Sequence, residues 1–271
     1  MQPKAPFRVR ASSWGQLFNC SHAWEGVHIM KMGKPSGMRA QLGTAIHAGT
    51  AAYDLARIQG YELSADDAAS VLVEELEHPS REIDLKQDDL SLREALRIGL
   101  ILHSRYCAEI APLFHYESVE LETKPFRIDC GGGIVIELTG TLDRSRLNFE
   151  NGKRGIKDLK SGGKAVVDGV ANTKGHRAQI GTYELLYEYS TGLAIDDDGE
   201  IIGLKTSGKP EVAVGGMVRN GKALMLGTED HPGLLQYAAE MFRSGMFPPN
   251  PQSYTCSKKY CARWATCQYH D

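Results

Sequence analysis

The sequence predicts a mixed α/β (α+β) protein, and three observations carry that prediction. Apolar residues recur at helical spacing through the first hundred positions. Residues 116–160 switch to alternating, β-branched patterning broken by Gly-rich turns, and the remainder returns to helix, strand and helix. In chain order, Ser12 and Ser13 can cap a short helix whose Trp14, Leu17 and Phe18 keep helical spacing and which carries Cys20 near its end. After a Gly/Pro loop at 33–37, residues 41–58 read as an Ala-rich helix. Ser64 with Asp67 reads as a cap for a helix to about residue 77, with Ala68, Val71, Leu72 and Leu76 on one face, and a further helix is expected at about 91–108. Strands follow at 116–123, 134–148 and 153–160, the last two joined by Asn151-Gly152 as a two-residue turn, so the three form a meander. Residues 176–191 read as helix, 211–219 as strand and 231–244 as helix, with no repeat and no visible boundary, so 1–271 is read as one domain.

Composition narrows the class. With 42% hydrophobic and 24% charged residues, and no apolar run near the roughly 18 residues of a membrane span, a soluble protein without a membrane partner is expected. The basic N-terminus lacks a signal core, which predicts a cytoplasmic location. Net charge is only −3, but it is segregated: residues 62–95 hold eleven acids against three bases, residues 151–177 seven bases against two acids, and residues 1–40 six bases against one acid. Such a chain can offer a basic face to a polyanion, and 151–177 is the expected track; a solvated acidic helix pair beside an ordinary basic loop would look the same.

The segment from Leu138 to Lys160, LTGTLDRSRLNFENGKRGIKDLK, holds the most chemistry. Pairing outward from an Asn151-Gly152 turn sets Asp143 opposite Lys160, with Asp158 on the same face as the diagonal neighbour of Asp143, roughly 7 to 8 Å away between Cα atoms. Two carboxylates at that separation, with the backbone carbonyl of Leu159, suit a hard cation such as Mg²⁺ or Mn²⁺. Lys160 beside them would orient the attacking water and offset developing negative charge. The same three residues could equally be a solvated cross-strand salt bridge.

Asp143 in GTLDR, Asp158-Leu159-Lys160 in IKDLKSGGK, Gln179 and Tyr183 in HRAQIGTYELLYE, and His47 in GTAIHAGT occur in one order. From about Ser12 to Cys267 the chain resembles the PD-(D/E)XK nuclease superfamily, specifically its RecB-like branch. The resemblance implies a restriction-endonuclease-like core, a central sheet flanked by helices. It also implies a catalytic metal on His47, Asp143, Asp158 and the Leu159 carbonyl, Lys160 assisting the water, and Gln179 and Tyr183 contacting substrate. The Pro-Asp half of the family name is absent, since Leu142 precedes Asp143; RecB-like members commonly carry this Gly-Thr-hydrophobic-Asp version.

Three of six cysteines crowd the C-terminus as Cys256-x4-Cys261-x5-Cys267, a pattern that points to metal. Resemblance to iron-sulfur nucleases of this branch, the AddB-type helicase-nucleases and the CRISPR-adaptation exonucleases, implies Cys20 as fourth ligand of a 4Fe-4S cluster. The cluster would be held between elements at 12–30 and 250–271, although many relatives space the triplet x2 then x5. Spacing alone also admits Zn²⁺, with His22 or His270 replacing a thiolate. Cys107 and Cys130 show no partner pattern and are expected to be a packed and an incidental thiol. The function implied is a metal-dependent DNA nuclease, an exonuclease acting on single-stranded or duplex ends in recombination, repair or replication, of a stand-alone phage type. No G-x4-G-K-[S/T] loop is present, so unwinding would fall to a helicase or recombinase partner. The alternatives are a structure-specific flap or single-strand endonuclease and a non-catalytic nucleic-acid-binding accessory module.

Overall fold

The computed structural model describes residues 5–270; residues 1–4 and Asp271 of the span read as one domain lie outside them. Strand β1 (Phe7–Arg10) leads through a 3-10 turn into α1 (Trp14–Asn19) and α2 (Ser21–His28), which meet at the extended backbone of Cys20. Helices α3 (Met38–Gln59), α4 (Ala65–Glu77) and α5 (Leu92–Arg105) follow, α3 ending at Gly60, which takes the left-handed φ of 73°. Ser64 caps α4 as the sequence predicts, its Oγ accepting the Asp67 N–H at 3.0 Å, and Ser91 caps α5 in the same way.

The three strands expected in the meander do lie side by side and antiparallel, but the middle run is broken and only its second half takes part. The strands are β2 (Tyr116–Glu122), β3 (Phe126–Asp129), β4 (Val135–Thr139), β5 (Thr141–Leu147) and β6 (Arg154–Gly162), so the run 134–148 breaks at Gly140. There β4 goes to a three-stranded sheet ordered β1-β4-β3, while β5 enters the larger sheet. A side chain at Gly140 would meet Tyr183 at 2.9 Å and Ala11 at 3.3 Å, which is why glycine turns the corner.

The β5–β6 turn is also longer than predicted. Arg144 pairs with Lys157 and Leu147 with Arg154, a register two residues away from the one an Asn151-Gly152 loop requires. Asn148 N–H donates to Lys153 O at 2.9 Å and Gly152 N–H to Asn148 O at 2.8 Å, while Asn148 and Asn151 side chains accept the Glu150 and Lys153 N–H groups. These two Asx turns build a longer loop in which only Gly152 has positive φ. A shift of two preserves faces and changes partners, so Asp143 does not stand opposite Lys160.

The chain continues through a small hairpin, β7 (Val166–Val167) and β8 (Val170–Ala171), then α6 (Arg177–Thr191), β9 (Gly199–Lys205), β10 (Glu211–Val218), α7 (Gly221–Leu226) and α8 (Leu234–Ser244). The five-stranded sheet is ordered β10-β9-β6-β5-β2, with β6 and β9 parallel and its other neighbours antiparallel. One core, with Leu42, Ile46, Leu72, Leu102, Leu159 and Ile202, fills the side under α3–α5. The other, with Trp14, Leu17, Trp24, Ile156, Leu186 and Phe242, lies toward α1, α2, α6 and α8. Among the described residues no helix is long and apolar enough to cross a membrane.

Candidate active site

The β5–β6 ladder ends at Arg144 and Lys157, one step before Asp143 and Asp158. Beyond it the Leu159 N–H, freed from strand pairing, donates to Asp143 Oδ2 at 2.8 Å. The neighbouring strand changes face at the same level. Val119 packs in the core under α3–α5, whereas Leu121, two residues on, packs against the opposite core. Alternation would put them on one side; Glu120 between them, with φ of 47°, breaks it. The sheet therefore opens where Glu120, Asp143 and Asp158 meet.

His47 reaches this opening from α3, its Nδ1 3.6 Å from Asp143 Oδ2. Among the described residues, His47, Glu120 and Asp143 are the one group of three His, Cys, Asp or Glu side chains whose ligand atoms all lie within 4.8 Å of one another. Burial outweighs the Asp143 charge and lowers the His47 pKa, leaving a neutral imidazole with a lone pair to give. Partial desolvation in the cleft, then repulsion from Asp143, pushes the Glu120 carboxyl up to about 7. Sequence reasoning missed Glu120 because it sits in a strand of ordinary alternation and the residue carries no motif. Below it, the fully buried Arg144 bonds Asp54 Oδ2 at 3.0 Å, Thr50 Oγ1 at 3.2 Å, Asp143 O at 3.2 Å and Glu120 Oε1 at 3.3 Å.

Asp158 lies outside that triplet and forms a short ion pair with Lys160. Desolvation, with the charge of Asp143 added to it and that of Lys160 opposing, raises the Asp158 carboxyl to about 7. Burial works against the Lys160 ammonium, yet Asp158 and Asp143 prevail and hold its pKa above the ordinary lysine value. Lys160 Nζ also stands 3.4 Å from Leu159 O. From α6, Gln179 Nε2 donates to Asp158 Oδ1 at 3.4 Å and to Tyr183 Oη at 3.1 Å, the four-residue spacing placing both on one helix face. The structure thus brings together His47, Asp143, Asp158, Leu159, Lys160, Gln179 and Tyr183, and adds Glu120. Imidazole, carboxylate and carbonyl donors of this kind fit Mn²⁺ or Mg²⁺.

The basic run 151–177 is not one track. Lys157 is buried against Glu200, Arg154 pairs with Glu117, Lys160 serves the carboxylates and Arg177 bonds Asn220 O, while Lys164 and Lys174 line a cleft. Cys20, Cys256, Cys261 and Cys267 line a common cavity with His22, while His270 stacks on Trp264 at 3.8 Å. Their sulfurs do not form a group within 4.8 Å among the described residues. Cys107 is a packed thiol 3.7 Å from His103 Nε2, pushed up to about 12 by burial, and Cys130 packs at the edge of a core.

No curated protein matches the sequence. The fold is similar to the crystal structure of a protein from Eubacterium rectale named as a candidate exonuclease, with a TM-score of 0.54 at 11% identity, covering 92% of this chain and 87% of that one. The family model of the PD-(D/E)XK nuclease superfamily matches residues 11–268. That match takes in the opened sheet end and every residue converging on it, and the chain belongs to this superfamily of divalent-metal-dependent phosphodiester hydrolases.

Proposed function

We propose that the protein is a RecB-like deoxyribonuclease that works as an exonuclease on DNA ends. The observation that carries this reading is the junction of β2, β5 and β6, where His47, Glu120 and Asp143 stand beside the Asp158–Lys160 pair. His47, Asp143, Asp158 and the Leu159 carbonyl would hold the ion, which when bound supplies Lewis acidity toward the phosphate and an acidified water. Lys160 acts as a cation and not as a base, since its neighbours keep it protonated. It orients the nucleophile and offsets the negative charge that builds on phosphorus oxygens in the transition state. Glu120, titrating near 7 and partly exposed, is placed to pass a proton to solvent. Gln179 steadies Asp158, and Tyr183 steadies Gln179.

Purified protein incubated with Mn²⁺ should shorten linear DNA from its ends and spare closed single-stranded circles. Cutting of circles would assign an endonuclease instead, and binding without cleavage an accessory module. We further propose a 4Fe-4S cluster on Cys20, Cys256, Cys261 and Cys267, supported by the cavity these side chains share. Anaerobic preparations should be brown and contain iron and sulfide; colourless protein with stoichiometric zinc would refute the iron assignment.

A further inference from the structure

A cleft of about 870 Å³ begins at Gln179, which bonds Asp158, and runs to the C-terminal cysteine corner at Cys261. Its lining includes Lys164, Lys174 and His176 from the segment between β6 and α6, and Tyr254 and Tyr260 from the C-terminal segment. Both tyrosines are well exposed, 86% and 56%, whereas Tyr106, Tyr116, Tyr183 and Tyr187 are buried. Among the described residues no Asp or Glu lines this cleft, although acids outnumber bases in the chain as a whole. His176 belongs with the neutral groups of the wall, because burial and the Lys160 charge lower its pKa to about 4. His47 and Glu120 of the metal group also line a second cleft, with Ala40, Gly43, Thr44 and Ala48 of α3. α3 thus presents a face of small side chains to this second cleft. Gly43 belongs to that face by necessity, since a side chain there would meet Ser161 Oγ at 2.7 Å.

We infer that the cleft lined by Lys164, Lys174, Tyr254 and Tyr260 is the path of single-stranded DNA to the metal site, its bases stacking on the two tyrosines and its phosphates on the two lysines. This rests on the reading of the site as a nuclease centre. Stacking decides between single strand and duplex. A paired base hides its faces inside the duplex, so exposed rings beside a cationic wall are of use only to unpaired bases. The ring–base contact is tolerant of sequence, because every base has a π-face, so no sequence preference is expected.

The test is fluorescence anisotropy of a labelled oligo-dT of about 15 nucleotides and of a blunt duplex of the same length, in EDTA so that binding is separated from cleavage. Wild type should bind the single strand at least tenfold tighter than the duplex. Tyr254→Ala and Tyr260→Ala should each weaken single-strand binding about tenfold, with Tyr254→Phe and Tyr260→Phe within twofold of wild type. Tyr61→Ala, which removes an exposed ring just past the end of α3 and outside the cleft, should change nothing. Lys164→Ala with Lys174→Ala should reduce the salt slope of binding by about 1.4, near 0.7 for each phosphate that no longer meets a lysine. Equal or tighter duplex binding, or wild-type affinity in the folded alanine variants, overturns the inference. If a tyrosine variant fails to fold, the paired lysine variant still decides, and an unchanged salt slope counts against the path. Mn²⁺-dependent cleavage without single-strand preference would sink the path and leave the nuclease reading standing; single-strand binding with no cleavage would do the reverse.

Discussion

Asp158 is fully buried and its carboxyl is raised to about 7, so in the metal-free protein it does not hold the fold together. Asp158→Asn should therefore abolish Mn²⁺-dependent cleavage with a metal-free Tm no lower than wild type, as expected where a site is built at the expense of stability. Lys160→Ala removes charge from the transition state and not a ligand: cleavage should fall by about 10²–10³-fold while calorimetric Mn²⁺ affinity holds. Asp158 and Glu120 also fix a pH dependence. Both have folded pKa values raised to about 7 from ordinary carboxylate values near 4. The stability that goes with their protonated forms is complete below the ordinary value and lost as pH rises through 7, so the charged pair costs stability above 7. A divalent ion neutralises that pair but competes with protons below 7, so Mn²⁺ should raise Tm more at about pH 8 than at about pH 6. Equal increments would contradict it. Of these residues, motif order made His47, Asp143, Asp158, Lys160, Gln179 and Tyr183 legible in the sequence. Glu120 was not, because its place depends on one positive φ that breaks strand alternation, a tertiary fact with no local signature.

Elements were legible where their period was strong and local. Ser64 announces α4 and α8 carries amphipathic spacing, but β9 is buried along nearly its whole length and so shows no alternation, although it is the parallel neighbour of β6. Gly140 hides a change of sheet inside what reads as one strand, and the two Asx turns after Leu147 displace the hairpin register by two residues. The convergence of Asp143 and Asp158 survives that displacement because strand faces repeat every second residue. Two substitutions test these packings. A side chain at Gly181 in α6 would collide with the backbone of Gly221, the first residue of α7, so Gly181→Ala should cost about 1–3 kcal/mol in denaturant titration. Asp54→Ala takes from the buried Arg144 guanidinium its one fully buried carboxylate partner and should cost about 3–5 kcal/mol, loosening Glu120 with it.

Across the whole molecule the two ends of the chain are tied at the cysteine corner. Ser21 Oγ donates to Pro248 O at 2.9 Å, Asn250 Nδ2 to Asn19 O at 2.9 Å, and Arg263 pairs with Glu25. A cluster binding there would bind only the folded form, so replacing Cys20, Cys256, Cys261 or Cys267 by Ala should lower iron content and Tm together. Replacing Cys130 should lower neither. The segregated charge of the sequence resolves at this scale as well: three of the seven bases in 151–177, Arg154, Lys157 and Lys160, are held in ion pairs or by the site, and Lys164 and Lys174 line the cleft. The central claim, that the opened end of the sheet is a metal-dependent nuclease centre, is tested most directly by end-labelled linear DNA incubated with wild type and with Asp158→Asn, each with Mn²⁺ and with EDTA. Degradation by wild type in Mn²⁺ alone is the predicted result; degradation by Asp158→Asn at the wild-type rate, or by either protein in EDTA, would contradict it.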